Sequence, residues 1–235
     1  MNSEHTMDTI VACNGVSKTY RQGKVAVNAL TDIDLTVEKG EFMALAGPSG
    51  SGKTTLLNLI GGLDTPDNGR IQVDGKSYEN LSGAAMADLR LHTIGFVFQA
   101  YNLIPVLSAI ENVEYVMLLQ GIPADERRRR AREILDVVGL AGKHDRRPAE
   151  LSGGQQQRVA VARAIVANPA IVLADEPTAN LDSKTGESLL ELMRQMNRER
   201  SVTFIFSTHD NMVMDYARRL VLLRDGRITD EHAKD

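Results

Sequence analysis

The sequence predicts an α/β fold built on a mostly parallel sheet, and three observations carry that prediction. Short uninterrupted apolar runs alternate with stretches of helical periodicity. Polar groups follow several of those runs directly. The composition is that of an ordinary globular chain, 43% hydrophobic and 25% charged over 235 residues. Strands buried on both faces read as continuous apolar runs, and open parallel sheets bind ligands at the carboxyl ends of their strands. The length suits one compact domain, or one with a small inserted subdomain.

Each element has its own signal. Phe42–Ala46 reads as a buried strand that runs into a Gly-rich turn, and a helix holding Leu56–Ile60 follows. Ile71–Val73 and Ile94–Phe98 read as further strands. Ser108-Ala109-Ile110-Glu111 has the pattern of a capping box and opens a helix through Leu119. Pro123 starts a second helix, on which Ala131, Ile134, Leu135 and Val138 recur at helical spacing. This texture predicts a helical subdomain at residues 99–168 within a single domain of residues 1–235. Arg127–Arg130 reads as a solvated helix face, with Glu126 and Glu133 nearby. Ser152 and Gln155 fit another capping box, opening a helix through Ala167. Three more apolar runs follow: Ile171–Ala174 ends in Asp175-Glu176, Val202–Phe206 ends before Ser207-Thr208-His209, and Leu220–Leu223 is closed by Asp225-Gly226.

Several function classes drop out. With 27 Lys and Arg against 31 Asp and Glu, the net charge is −4, so the chain lacks the cationic footprint of a nucleic-acid binder. One cysteine, Cys13, excludes an internal disulfide framework and points to a reducing compartment. The longest apolar stretch, Val159–Ala174, is interrupted by Arg163, Asn168 and Pro169, short of the roughly 20 residues a membrane span needs. Met1–Asp8 has neither the basic nor the apolar region of a secretory signal. Work at a membrane would therefore need another chain to hold this one there.

Gly47-Pro48-Ser49-Gly50-Ser51-Gly52-Lys53-Thr54 matches the G-x-x-x-x-G-K-[ST] pattern in full, after a strand and opening a helix. Glycines let the backbone curl so that successive N–H groups face a phosphate chain, and the helix adds its positive end. Lys53 supplies a charge for the β- and γ-phosphates, and the Thr54 hydroxyl can ligate Mg²⁺. Thr55, next on the helix, is counted with the nucleotide-binding residues. The pattern predicts a nucleoside triphosphate with Mg²⁺, leaving kinase, GTPase and ATPase open. A parallel strand beside this loop would bring Asp175 to the metal. Glu176 would then lie where a carboxylate can orient an attacking water and take its proton, which favours hydrolysis. Gly153 and Gly154 offer a second set of N–H groups at a helix start. Two γ-phosphate cradles in one chain suggest two copies face to face, with each nucleotide between the phosphate loop of one and the Ser152-Gly153-Gly154 turn of the other.

Taken together, these residues resemble the ATPase subunit of ATP-binding cassette (ABC) transporters, from Ile10 to about Ile228. Gly47–Thr54 resembles Walker A, Ile171–Asp175 resembles Walker B, and Leu151-Ser152-Gly153-Gly154-Gln155 is identical to the family signature. The resemblance implies a P-loop NTPase (RecA-like) core, an N-terminal antiparallel β subdomain and an inserted helical subdomain. It implies ATP and Mg²⁺ as ligands, Glu176 as catalytic residue, Gln99 as the glutamine that senses metal and water, and His209 as the histidine that contacts the γ-phosphate. Tyr20 fits the aromatic that stacks on adenine, and Asn180-Leu181-Asp182 resembles the D-loop, with Asp182 counted among the nucleotide-binding residues. Phe98–Pro105 and Leu173–Asp182 are similar to the lipoprotein-releasing and macrolide-exporter (LolD/MacB) type, although Ala179 stands where that group usually has Gly.

Implied with the family are a homodimer on ATP binding, a transmembrane permease partner, and a place on the cytoplasmic face of the inner membrane. An export or extrusion ATPase is favoured over an importer ATPase by the Ala174–Thr178 context and the short stretch after Ile228. A soluble chromosomal or ribosomal cassette is disfavoured, because no long coiled coil fits between Gln99 and Leu151 and only one cassette is present. A GTPase is disfavoured by the lack of an Asn-Lys-x-Asp motif. Tyr101–Pro105 is expected to form a groove floor that receives a cytoplasmic helix of the permease.

Overall fold

The computed structural model describes residues 9–23 and 25–234. Met1–Asp8, on which the expectation about a signal segment rests, lies outside the described residues.

Two long strands open the chain, β1 (Thr9–Gln22) and β2 (Val25–Glu38), followed by β3 (Phe42–Ala46) and α1 (Lys53–Ile60). Next come β4 (Asn68–Val73), the short β5 (Lys76–Ser77), α2 (Gly83–Thr93) and β6 (Ile94–Val97). The helical stretch holds α3 (Ala109–Leu119), α4 (Ala124–Val137) and α5 (Gly153–Ile165). The chain closes with β7 (Ile171–Asp175), α6 (Ser183–Arg200), β8 (Thr203–Thr208), α7 (Asn211–Tyr216), β9 (Arg219–Arg224) and β10 (Arg227–Ala233).

These strands form two sheets. One is antiparallel, in the order β2-β1-β4-β5. The other runs β10-β9-β3-β8-β7-β6 and is parallel except for β10, which pairs antiparallel at its edge. The apolar-run criterion finds β3 and β6 to β9, because that sheet is covered on both faces, by helices on one and by α1 and the antiparallel sheet on the other. It passes over the length of β1 and β2, which bury one face only. Val11, Cys13, Val16, Leu30, Ile33, Leu35 and Val37 point inward while Asp32, Asp34 and Glu38 of β2 alternate outward, and several register shifts break the alternation.

Strand order supplies one point that the sequence reading leaves open. β7 does not lie beside β3; β8 stands between them. Asp175 still reaches the phosphate-loop helix, because α1 packs over both β8 and β7 and carries Thr54 across the gap. A correction concerns Arg127–Arg130. Arg129 does pair with Glu126 and Glu133 in solvent, but Arg127 donates to the Ile122 carbonyl and Arg130 to that of Val166, so half of the run holds backbone.

The core lies on both sides of the parallel sheet. On one side Phe42 sits 4.7 Å from Phe206 and 5.5 Å from Phe204, ring centre to ring centre, and the same cluster continues into Ile110, Val113, Leu135 and Val161 of the helices. On the other, Met43, Leu45, Leu56 and Ile205 pack against Ile33 and Ile71 of the antiparallel sheet. Each fully buried side chain of this size contributes about 1.5–3 kcal/mol. The floor under the strand ends is thus densely packed on both sides.

Candidate nucleotide site

The loops that follow β3, β7 and β8 meet at one end of the parallel sheet. Between them opens a cavity of about 470 Å³, lined by Val27 to Ala29 of β2, Ser49 to Thr55, Gln99, Glu176 and His209. A somewhat larger cavity, about 530 Å³, lies elsewhere, around Leu63, Arg70, Tyr78 and Arg90, and no phosphate-loop residue, Glu176 or His209 lines it. The convergence of polar groups, rather than size, picks out the first.

The phosphate loop is held by glycine chemistry at two points. Gly52 has φ 103°, and a Cβ there would lie 2.6 Å from the Ala29 carbonyl oxygen. Gly47 has φ 153°, and its Cβ would sit 2.1 Å from the Leu223 carbonyl oxygen. Gly226 is crowded against the same Ala29 oxygen, at 2.7 Å, and its N–H donates to the Ser51 carbonyl at 3.1 Å. Helix α1 starts at Gly52 with no side-chain cap and no acid in its first turn, so its N–H groups and positive end remain open to the cavity. The Lys53 ammonium is tucked into the loop, donating to the Gly47 and Pro48 carbonyls at 2.7 and 3.0 Å.

Across the cavity, the Thr54 hydroxyl donates to Asp175 Oδ1 at 3.1 Å. Glu176 has φ 46°, a left-handed conformation that costs a side chain of this kind about 1–3 kcal/mol. Its N–H donates to the Ser207 carbonyl at 2.9 Å, which holds the turn. Its carboxylate takes a 3.3 Å bond from the Thr208 hydroxyl and lies 2.6 Å from His209 Nδ1. The acid at one strand end and the histidine at the next therefore form a pair on the cavity wall. The carbonyl of Gln99 accepts from Asn180 Nδ2 at 2.8 Å, so the glutamine loop and the loop after β7 are tied together.

Other residues singled out from the sequence stand apart. Tyr20 does not line the cavity but flanks it: it pairs with Val27 across the β1–β2 ladder, and its hydroxyl donates to Asp64 Oδ2 at 2.7 Å. Burial, then Asp64, pushes that phenol up in pKa. Burial also opposes ionisation of Asp64, but bonds from Lys18 and Tyr20 hold its carboxyl below the usual range. Ser152 and Gln155 do form a capping box on α5, yet neither they nor Gly153 and Gly154 line the cavity. Asp182 caps α6, accepting from the backbone N–H and hydroxyl of Thr185.

Sequence reasoning passed over two buried polar groups and one half-buried arginine. Asn112, on α3, accepts from Ile104 N–H and donates to the Ile104, Leu107 and Ser108 carbonyls. Gln157, fully buried on α5, donates to the Pro177 carbonyl at 2.8 Å, next to Glu176, and to that of Phe98, next to Gln99. Arg163 clamps the carbonyls of Tyr101 and Asn102, both of which have positive φ. A polar residue on the buried face of an otherwise apolar helix was the available signal. Leu103, expected on a groove floor, is half-buried and packs against the helical core.

The ABC transporter family profile matches residues 30–179, more than half of the chain and both the phosphate loop and the Asp175-Glu176 turn. The chain belongs to the ABC transporter family of ATPases. Among its relatives, this ABC ATPase is 48% identical to the lipoprotein-releasing system ATP-binding protein LolD 1 of Rhodopseudomonas palustris, over 94% of this chain and 99% of that one. It is 46% identical to the macrolide export ATP-binding/permease protein MacB of Sodalis glossinidius, over 96% of this chain but only 34% of that longer protein. Among solved structures, the dimeric post-hydrolysis state of a Methanocaldococcus jannaschii ATP-binding cassette bound to ADP and Pi matches with a TM-score of 0.90 at 42% identity, covering 96% of this chain and 99% of that one. The ABC ATPase described here has, among its described residues, no helix long and apolar enough to cross a membrane.

Proposed function

We propose that this ABC ATPase works as a nucleotide-sandwiched homodimer that powers a separate membrane permease in export or extrusion across the cell envelope. The observation that carries the reading is the split of its motifs. Phosphate loop, Asp175, Glu176, Gln99 and His209 converge, while the Ser152–Gln155 turn lies outside their cavity, available to a second copy.

In this reading the open N–H groups of α1 and the Lys53 ammonium bind the β- and γ-phosphates. Glu176, fixed by Ser207 and Thr208, orients a water and accepts its proton; His209, paired to Glu176, donates toward the γ-phosphate. Thr54, Asp175 and Gln99 would hold Mg²⁺, which when bound neutralises charge on the phosphates. They are hard oxygen donors of the sort Mg²⁺ takes, and Thr54 and Asp175 are already within hydrogen-bond reach. No cluster of three or more His, Cys, Asp or Glu among the described residues could form a metal cage, which suits an ion that takes its other ligands from the nucleotide. Ser152, Gly153, Gly154, Gln155 and Asp182 of one copy would complete the site of the other.

Residues 99–168 act here as a helical subdomain that carries the permease contact. A groove of about 280 Å³ runs along Leu91, Phe96, Phe98, Val116 and Arg163, and Tyr115, Leu118 and Leu119 stand exposed on the same helix as Val116. Such an apolar surface suits a short helix of a membrane subunit at the cytoplasmic face. The similarity to LolD and MacB supports the export direction.

Glu176→Gln tests the core of this reading. ATP binding should persist, hydrolysis should fall about 10²–10⁴-fold, and an ATP-dependent dimer should accumulate on size-exclusion chromatography. Unimpaired turnover removes Glu176 from the role. Leu119→Glu should leave the isolated subunit folded and ATP-binding, yet reduce its co-purification with a permease from detergent-solubilised membranes.

A further inference from the structure

An ionic network centred on a buried lysine connects the aromatic at the cavity's flank to the far end of the phosphate-loop helix. Lys18 and Tyr20 lie two apart on β1 and share a face of the strand. Lys18 is only 8% exposed, which is unusual for a lysine and requires compensation. Its ammonium donates to Asp64 Oδ1 at 2.9 Å and to the Thr65 carbonyl at 2.7 Å, with Asp67 at 3.9 Å. The second oxygen of Asp64 takes the Tyr20 hydroxyl at 2.7 Å, and the Lys18 ammonium sits 5.3 Å from the Tyr20 ring centre. Both oxygens of one carboxylate are therefore committed, one to each neighbour.

Asp64 is itself fixed to α1. The N–H groups of Leu63 and Asp64 both donate to the Asn58 carbonyl, at 2.9 and 3.4 Å, which folds the loop back under the helix. The helix that presents its N-terminus to the phosphates thus grips the Tyr20 hydroxyl beyond its other end. Tyr20 remains 39% exposed, so the ring keeps a free surface while its tip is tied.

We propose that Asp64 is a positioning residue for nucleotide selection: by anchoring the Tyr20 hydroxyl, it holds the ring ready to stack on the base, and it acts on the affinity for the nucleoside rather than for the phosphates. The proposal rests on the reading of Tyr20 as the base-stacking aromatic. An aromatic ordered before binding loses less rotamer freedom when the base arrives, which appears as affinity. Lys18 keeps Asp64 ionised and aimed, although it touches no ligand itself. The competing role, a purely structural tie between β1 and the loop after α1, would weaken every ligand alike.

Equilibrium titration of the full chain with ATP and with inorganic tripolyphosphate separates these roles. Tyr20→Phe removes only the anchored hydroxyl, whereas Asp64→Ala removes the anchor together with the carboxylate that pairs with Lys18. Each should weaken ATP about 3- to 10-fold, the range of one net hydrogen bond, and leave tripolyphosphate affinity unchanged. The double variant should be no weaker than Asp64→Ala alone, since both remove one interaction. Equal losses for ATP and tripolyphosphate, or a Tyr20→Phe variant that binds ATP like wild type, overturn the proposal. Tyr20→Ala shows which idea has failed. If it binds ATP normally, the stacking reading falls and the anchor with it; if it binds weakly while Tyr20→Phe does not, stacking stands and only the anchor falls. Should Asp64→Ala not fold, Tyr20→Phe decides alone.

Discussion

Helices α1 and α5 both begin at a Gly-rich turn, and their first residues face opposite fates. At α5 the Ser152 hydroxyl accepts from the Gln155 N–H while the Gln155 side chain accepts from the Ser152 N–H, closing a capping box. At α1 the cap position is a left-handed Gly52 with no side-chain partner and no acid in the first turn. The remaining α-helices follow the α5 pattern or compensate for it: Ser82, Ser108, Asp182 and Asp210 cap α2, α3, α6 and α7, and α4 has Asp125 and Glu126 in its first turn. An uncapped helix start leaves its first N–H groups free for a partner from outside the chain. A capped one can offer an anion only the donors its cap leaves over, Gly153 and Gly154, and takes the role of a second contributor.

Removing the charge at the open end should have the largest effect. Lys53→Ala should abolish ATP binding at concentrations that saturate the wild type, read by equilibrium titration; near-normal affinity would break the contrast. Ser152→Arg should come next, abolishing hydrolysis while ATP binding to the monomer survives. Mixing it with Lys53→Ala should recover a small activity, because the mixed dimer builds one complete site. Normal hydrolysis by Ser152→Arg as a monomer would sink the two-copy site. Ser152→Ala serves as its control for the lost cap.

Ser108→Ala sharpens the comparison at a helix start remote from the cavity. It should cost about 1 kcal/mol of stability in denaturant unfolding and leave ATP affinity unaltered. The smallest effect concerns pH. Backbone and side-chain hydrogen bonds from Ser108 hold the Glu111 carboxyl below its usual range. A depressed folded pKa stabilises above the unfolded value and is lost as pH falls through the folded one. Below about pH 4.5 the Tm of the wild type should therefore fall more steeply than that of Glu111→Gln.

Much of this arrangement was legible in the sequence, and what was not has a common cause. Buried strands such as Phe42–Ala46 and Ile171–Ala174 announce themselves because every residue must be apolar. The phosphate loop does so because its glycines are sterically forced. Capping boxes at Ser108 and Ser152 are local, closing over three residues. The Lys18–Asp64–Tyr20 network spans more than 40 residues of sequence and carries no periodic signal. The bonds of Gln157 to Phe98 and Pro177 likewise exist only once the topology has brought three segments together. The position of β8 between β3 and β7 is a property of strand order, which apolar runs do not encode.

The crowding at Ala29 has a consequence for anyone wishing to recombine this chain with a relative. Its carbonyl oxygen is the surface against which both Gly52 and Gly226 are fitted, so two segments near the start of the sequence and one near its end meet with no room for a methyl group. The antiparallel sheet is consequently not an exchangeable cassette. A chimera that imports it from another protein inherits a backbone path near Ala29 displaced by some fraction of an ångström, and both glycine turns must follow. Crossover points placed between residue 29 and residue 52, or between 52 and 226, divide this junction. The viable seams in a shuffled library should be those that carry all three positions from one parent.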